Sequence, residues 1–169
     1  AGTSAMLLVA HPVLPVSTTA ELIALAKSRP GQINLASAGN GSPSHLAGTL
    51  FKQMAGIDLV HVPYKGAPPA LTDLMAGRVE LYTPGRPPVL PLVAAGKVKA
   101  VAVTTATRSS VAPNVPTLAE AGLAGYDVTL WYGLFAPAGV PQPIVNRLNA
   151  AVVKVMSSNE VKDQFLAQG

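Results

Sequence analysis

Between Thr18 and Thr104 the chain alternates helix start and stop signals with apolar runs only long enough for strands, which leaves few folds open. Thr18-Thr19-Ala20-Glu21 is a capping box, in which the hydroxyl and the carboxylate satisfy free N–H groups at a helix start. Leu22, Ile23, Leu25 and Ala26 supply that helix with an apolar face, and Pro30-Gly31 stops it. Residues 33–37 read as a short buried strand and 38–41 as a tight loop. A second helix is expected from Ser42, with Pro43 at its first position, a core face of Leu46, Leu50, Phe51 and Met54, and an end at Gly56. Strands at 58–62, 79–83 and 98–104 then alternate with helices at 68–76 and 89–95. Strand–helix–strand order with short turns implies a mainly parallel sheet covered on both faces, an α/β doubly wound unit.

After Thr104 the texture changes. A second capping box at Thr117-Leu118-Ala119-Glu120 predicts a short helix, 128–135 reads as a strand, and 144–156 as a long amphipathic helix followed by a last one capped at 157–160. This tail lacks the strands for a sheet of its own and is expected to pack on something else.

Composition narrows the function. Hydrophobic residues make up 49% and charged residues 12%, yet no apolar run approaches the roughly 20 residues of a membrane-spanning helix. The reading is a soluble domain. A net charge of +4 without any basic run, and without aromatics interleaved among Arg and Lys, excludes a nucleic-acid footprint and suits a small anion better than a polyanion. The absence of cysteine removes disulfides, thiol catalysis and thiolate metal sites. Three scattered histidines do not make a metal centre, and no cofactor motif is present. The chain opens at Ala1-Gly2-Thr3 with no signal segment, so processing or a fragment is expected.

The segment richest in chemistry is Ser37-Ala38-Gly39-Asn40-Gly41-Ser42-Pro43-Ser44-His45, which joins the end of a strand to a helix start. Ligands of open α/β sheets bind at that edge, and helix-terminal N–H groups favour an anion. The spacing is neither that of a P-loop nor that of a dinucleotide fingerprint, so a carboxylate fits better than a nucleotide. A tight turn with no ligand is the competing reading. Ser42 or Ser44 with His45 would make an α/β hydrolase or transferase, although residues one or three apart at a helix start are poorly placed for attack. His45 is expected to line the cleft or cap the helix. Tyr64, Lys65 and Gly66 follow the next strand at the same edge, where Tyr64 either meets a ligand or seals the sheet. Arg86 after the third strand either pairs a carboxylate or stays in solvent. Trp131 faces the cleft or hinge, or packs in the core.

Several stretches in fixed order resemble the substrate-binding receptors of tripartite tricarboxylate transporters, the Bug or TctC-like family. They are Thr19-Ala-Glu-Leu-Ile-Ala-Leu-Ala-Lys27, Ser37-Ala-Gly-Asn-Gly-Ser-Pro-Ser-His-Leu-Ala-Gly48, Val60-His-Val-Pro-Tyr-Lys-Gly66, Pro69-Ala-Leu-Thr-Asp-Leu74, Val115-Pro-Thr-Leu-Ala-Glu-Ala-Gly122 and Leu134-Phe-Ala-Pro-Ala-Gly139. The resemblance implies a periplasmic-binding-protein-like clamshell, with one doubly wound lobe complete and the C-terminal part of the other. By that analogy 15–125 form the middle lobe, 126–169 belong to the first lobe, 1–14 cross between them, and an N-terminal segment is missing. It further implies a periplasmic, non-enzymatic receptor for a small organic carboxylate, delivering it to membrane permease subunits. Ser37 to His45, with Tyr64 to Gly66, would be this lobe's share of the cleft. Thr83-Pro84-Gly85-Arg86-Pro87-Pro88 departs from the family's usual stretch there. Self-association of a truncated chain is expected from its uncovered apolar tail.

Overall fold

A computed structural model of the chain describes residues 2–110 and 112–168. The order of elements is β1 (Gly2–Ala5), β2 (Leu7–Ala10), α1 (Thr19–Ser28), β3 (Asn34–Ser37), α2 (Pro43–Ala55), β4 (Val60–Pro63), α3 (Ala67–Met75), β5 (Leu81–Tyr82), α4 (Arg86–Ala94), β6 (Lys99–Val103), β7 (Thr129–Tyr132), α5 (Gln142–Met156) and α6 (Asn159–Gln168). The chain divides into two compact units, Ser4–Leu130 and Ala1–Thr3 with Trp131–Gly169.

The Ser4–Leu130 unit is built on a five-stranded sheet of order β4-β3-β5-β2-β6. β3 pairs parallel with β4 and β5, whereas β2 pairs antiparallel with β5 and β6. Four strands therefore run one way, and β2 runs against them between β5 and β6. Its four residues are all buried. No strand was expected there, because a strand buried on both faces reads as a short unbroken apolar run without alternation.

Period-two alternation sorts the side chains into two cores. Leu8, Leu35, Leu81 and Val101 point to one face, packing against Leu22 and Ala26 of α1 and Phe51 of α2. Leu7, Val9, Ala36, Tyr82 and Val103 point to the other, against Ala70, Leu71 and Leu74 of α3 and Val89 of α4. Tyr126 belongs to the first core, and its buried hydroxyl donates to the Ala47 carbonyl at 2.8 Å.

The face that α2 presents differs from expectation. Ala47, Gly48, Phe51 and Ala55 are buried, while Leu46 is 58% exposed and Met54 also faces outward. The reason is close approach: a Cβ on Gly48 would fall 2.5 Å from Leu35 Cδ2, so small residues let the helix settle onto β3. The large apolar residues mark the wrong stripe. The capping box at Thr117 also behaves differently from its expected role. Glu120 N–H donates to Thr117 Oγ1 and Thr117 N–H to Glu120 Oε2, both at 2.9 Å, yet residues 117–123 form turns and no helix.

The expected strand at 128–135 shortens to Thr129–Tyr132, which pairs with β1, and α5 of the other unit has no buried residue. Among the described residues no helix is long and apolar enough to cross a membrane.

Candidate ligand-binding site

Parallel pairing brings the C-terminal ends of β3, β4 and β5 side by side, so the segments that follow them share one edge of the sheet. The loop after β3 is held almost wholly by its own polar groups. Ser42 is the N-cap of α2 and accepts from His45 N–H at 3.3 Å, while its hydroxyl donates to Gly39 O at 2.6 Å. Ser44 is buried, accepts from Ala38 N–H at 2.9 Å and lies 3.0 Å from Ser42 Oγ. Thr83 at the end of β5 donates to the Ser44 carbonyl at 2.9 Å. Gly66 N–H donates to Ala38 O at 3.1 Å and ties in the segment after β4. Gly39 sits at φ +128, and a Cβ there would stand 3.1 Å from the Tyr64 carbonyl.

This arrangement uses up the serine hydroxyls that the sequence offered as ligand donors or nucleophiles. What the loop leaves open is backbone: the N–H groups of Asn40 and Ser44 donate to nothing among the described residues. Two such donors at the start of a thirteen-residue helix form a ready seat for a carboxylate.

His45 does not cap the helix directly. Its Nδ1 accepts from Gly41 N–H at 3.0 Å, which leaves the proton of the neutral ring on Nε2. Its ring stacks on that of His61 from β4, with centroids 4.2 Å apart. His61 Nε2 in turn bonds Ser37 Oγ at 2.7 Å. Burial, helped by the neighbouring His45 and Lys52, pushes the His61 pKa below the usual imidazole value. A Ser–His contact of this length invites a catalytic reading, but Ser37 is fully buried and also receives the Gly39 N–H at 3.2 Å. The contact locks the loop. Sequence reading missed it because β3–β4 register, with Leu35 opposite His61, is what brings the two side chains together.

Tyr64 resolves toward sealing the edge. Its hydroxyl donates to Asp73 Oδ2 at 2.8 Å, Arg78 holds Asp73 Oδ1 at 2.8 Å, and burial with the Asp73 carboxylate raises the phenol to about 12. Lys65 is exposed and Gly66 is half-buried. Arg86 is neither a solvated loop residue nor paired with an acid. It opens α4, is half-buried, and its Nη1 donates to Ser109 Oγ. Its Nε is closed off from solvent with no partner among the described residues, and burial lowers its pKa. The ion pairs of the described residues join Lys52 to Asp58, Arg78 to Asp73 and Arg108 to Glu120, so no carboxylate meets Arg86. Trp131 is 63% exposed, meets Phe135 edge-on, and lies in the other compact unit from the remaining twelve candidates. No group of three or more potential metal ligands occurs among the described residues.

An open α/β sheet that offers backbone donors and an arginine at its strand ends suits a small anion, and the fold matches that of solved periplasmic binding proteins. The chain belongs to the tripartite tricarboxylate transporter family receptors (TctC), whose family pattern matches residues 1–169. It is 42% identical over 150 residues to a UPF0065 protein in the tcbD-tcbE intergenic region of Pseudomonas sp. strain P51, covering 88% of this chain and 45% of that protein. Among solved structures it resembles Rpa4515 of R. palustris with adipate, with TM-score 0.93 and 38% identity over 99% of this chain and 56% of the other. It also resembles MatC (Rpa3494) of Rhodopseudomonas palustris with bound malate, with TM-score 0.86 and 37% identity over 95% of this chain and 54% of that one. The chain thus spans about half the length of these proteins.

Proposed function

We propose that the chain is the ligand-holding part of a periplasmic, non-enzymatic receptor that captures a small organic carboxylate for a tripartite transporter and hands it to the membrane permease. The observation that carries this reading is Arg86, a half-buried guanidinium at the strand-end edge with no carboxylate to balance it among the described residues. Taking a charge out of water without a partner is costly, so an anionic ligand is its natural complement. The free N–H groups of Asn40 and Ser44 fit the same anion, and Lys65 would draw it in. A relative in complex with adipate and another with malate favour an aliphatic dicarboxylate over other anions. The tail from Trp131 onward would belong to the other lobe, and its exposed apolar side chains support self-association of the chain as it stands.

Isothermal titration with adipate and malate tests the proposal. Binding should weaken about tenfold or more in Arg86→Met, the loss typical of a charge-assisted hydrogen bond. Unchanged affinity in that variant would sink the assignment of Arg86, and no binding of any carboxylate would sink the receptor reading for this chain.

A further inference from the structure

A cleft lies along the flank of the sheet between α2 and β4, reaching the strand-end loop at His45 but lined by none of Asn40, Ser44 and Arg86. β4 is an edge strand, and the groove beside it is about 440 Å³ in volume. One helical stripe of α2 supplies a wall: His45, Thr49 and Gln53 stand four residues apart, and Lys52 follows Thr49 by three. His61 of β4 adds to it, and Leu35 with Ile57 forms an apolar floor. Its polar groups are mostly donors. Lys52 Nζ donates to the Leu59 carbonyl, which leaves two of its three N–H groups unused there. His45 Nε2 and His61 Nδ1 carry no hydrogen bond among the described residues. The Thr49 hydroxyl and the Gln53 amide lie on the same stripe. No carboxylate lines the cleft; Asp58, 3.7 Å from Lys52, is largely exposed outside it.

We infer that this α2–β4 cleft is a second binding site for a small organic anion with an apolar body, a short-chain aliphatic or aromatic carboxylate. Its anionic end sits against Lys52 and the stacked histidines, and its hydrocarbon sits on Leu35 and Ile57. The size matches small-molecule sites, which combine an apolar lining with a few converging polar groups. The stacked histidines also connect the cleft to the loop after β3, because His45 holds Gly41 N–H and His61 holds Ser37 Oγ. The groups facing His61 are His45 and Lys52, so no carboxylate among the lining residues repels an anion here.

Benzoate is a suitable probe, with benzamide as its neutral counterpart, and the histidine ring resonances of the whole chain provide the readout. Benzoate should shift the His45 and His61 resonances saturably, and benzamide should not. Lys52→Gln should weaken benzoate about tenfold, and Gln53→Glu, at an exposed position, should do so by placing a like charge in the cleft. Arg86→Met should leave this binding intact, which separates it from the strand-end site. Absence of histidine shifts, insensitivity to both cleft variants, or loss of the shifts in Arg86→Met would each overturn the inference.

Discussion

Residues Ser4–Leu130 and Trp131–Gly169 draw on the same apolar vocabulary and treat it in opposite ways. In the first, Met6, Leu7, Leu8, Val9, Phe51 and Tyr82 are closed off from water in a sheet sandwiched by helices. In the second, Trp131, Tyr132, Leu134, Phe135, Ile144, Leu148 and Phe165 stand exposed, and α5 buries nothing. An amphipathic helix gains little stability from propensity alone and relies on a partner for its apolar face. The contrast teaches that hydrophobicity specifies a core only where a sheet gathers the side chains into layers.

The widest gap should appear under truncation of matched apolar residues. Phe51→Ala should cost about 3–5 kcal/mol in urea denaturation of the Ser4–Leu130 unit. Leu148→Ala in α5 should change that transition by less than about 0.5 kcal/mol, while reducing concentration-dependent association in sedimentation. Equal costs for the two substitutions would erase the distinction between the regions. A smaller effect is expected within the first unit at Gly39→Ala. Its positive φ and the Tyr64 carbonyl 3.1 Å from the new Cβ should cost roughly 1–2 kcal/mol, read as a lowered denaturation midpoint.

The smallest effect is acid sensitivity. Glu21 is held below the usual carboxylate value by the Ser17 and Thr18 N–H groups, Asp73 by Tyr64 and Arg78, and Glu120 by the Thr117 N–H and Arg108. A lowered folded pKa contributes stability that is present above the unfolded value and lost as pH falls through the folded one. Amides around Thr18, Asp73 and Thr117 should therefore lose hydrogen-exchange protection as pH drops below about 4.5, with Glu21→Gln abolishing the change near α1. Protection at these caps that does not vary with pH would show that the carboxylates contribute nothing.

Much of the fold was legible before any coordinates. The capping box at Thr18, the Pro43 start and Gly56 stop of α2, and strands β3 to β6 follow from local chemistry that does not depend on the rest of the chain. The loop from Ser37 to His45 was legible as a strand-to-helix junction for the same reason. The role of its side chains was not. Ser42 and Ser44 turn inward because Gly39 O, Ala38 N–H and each other are nearer partners than a ligand. Whether Arg86 would pair a carboxylate or stay in solvent was open, because nothing local reveals that α4 begins there and half-buries it.

Taken alone, then, the sequence determined where helices begin and end, that strands alternate with them, and that a glycine-rich junction with helix-start donors suits an anion. These are short-range matters of capping, backbone freedom and period. Tertiary structure alone decided that β2 runs against its neighbours, that Gly48 turns α2 away from its large apolar stripe, that His61 clasps Ser37, and that Arg86 keeps its charge without an acid. Each depends on strand register or on how closely two elements approach, and those distances are set between residues far apart in the chain.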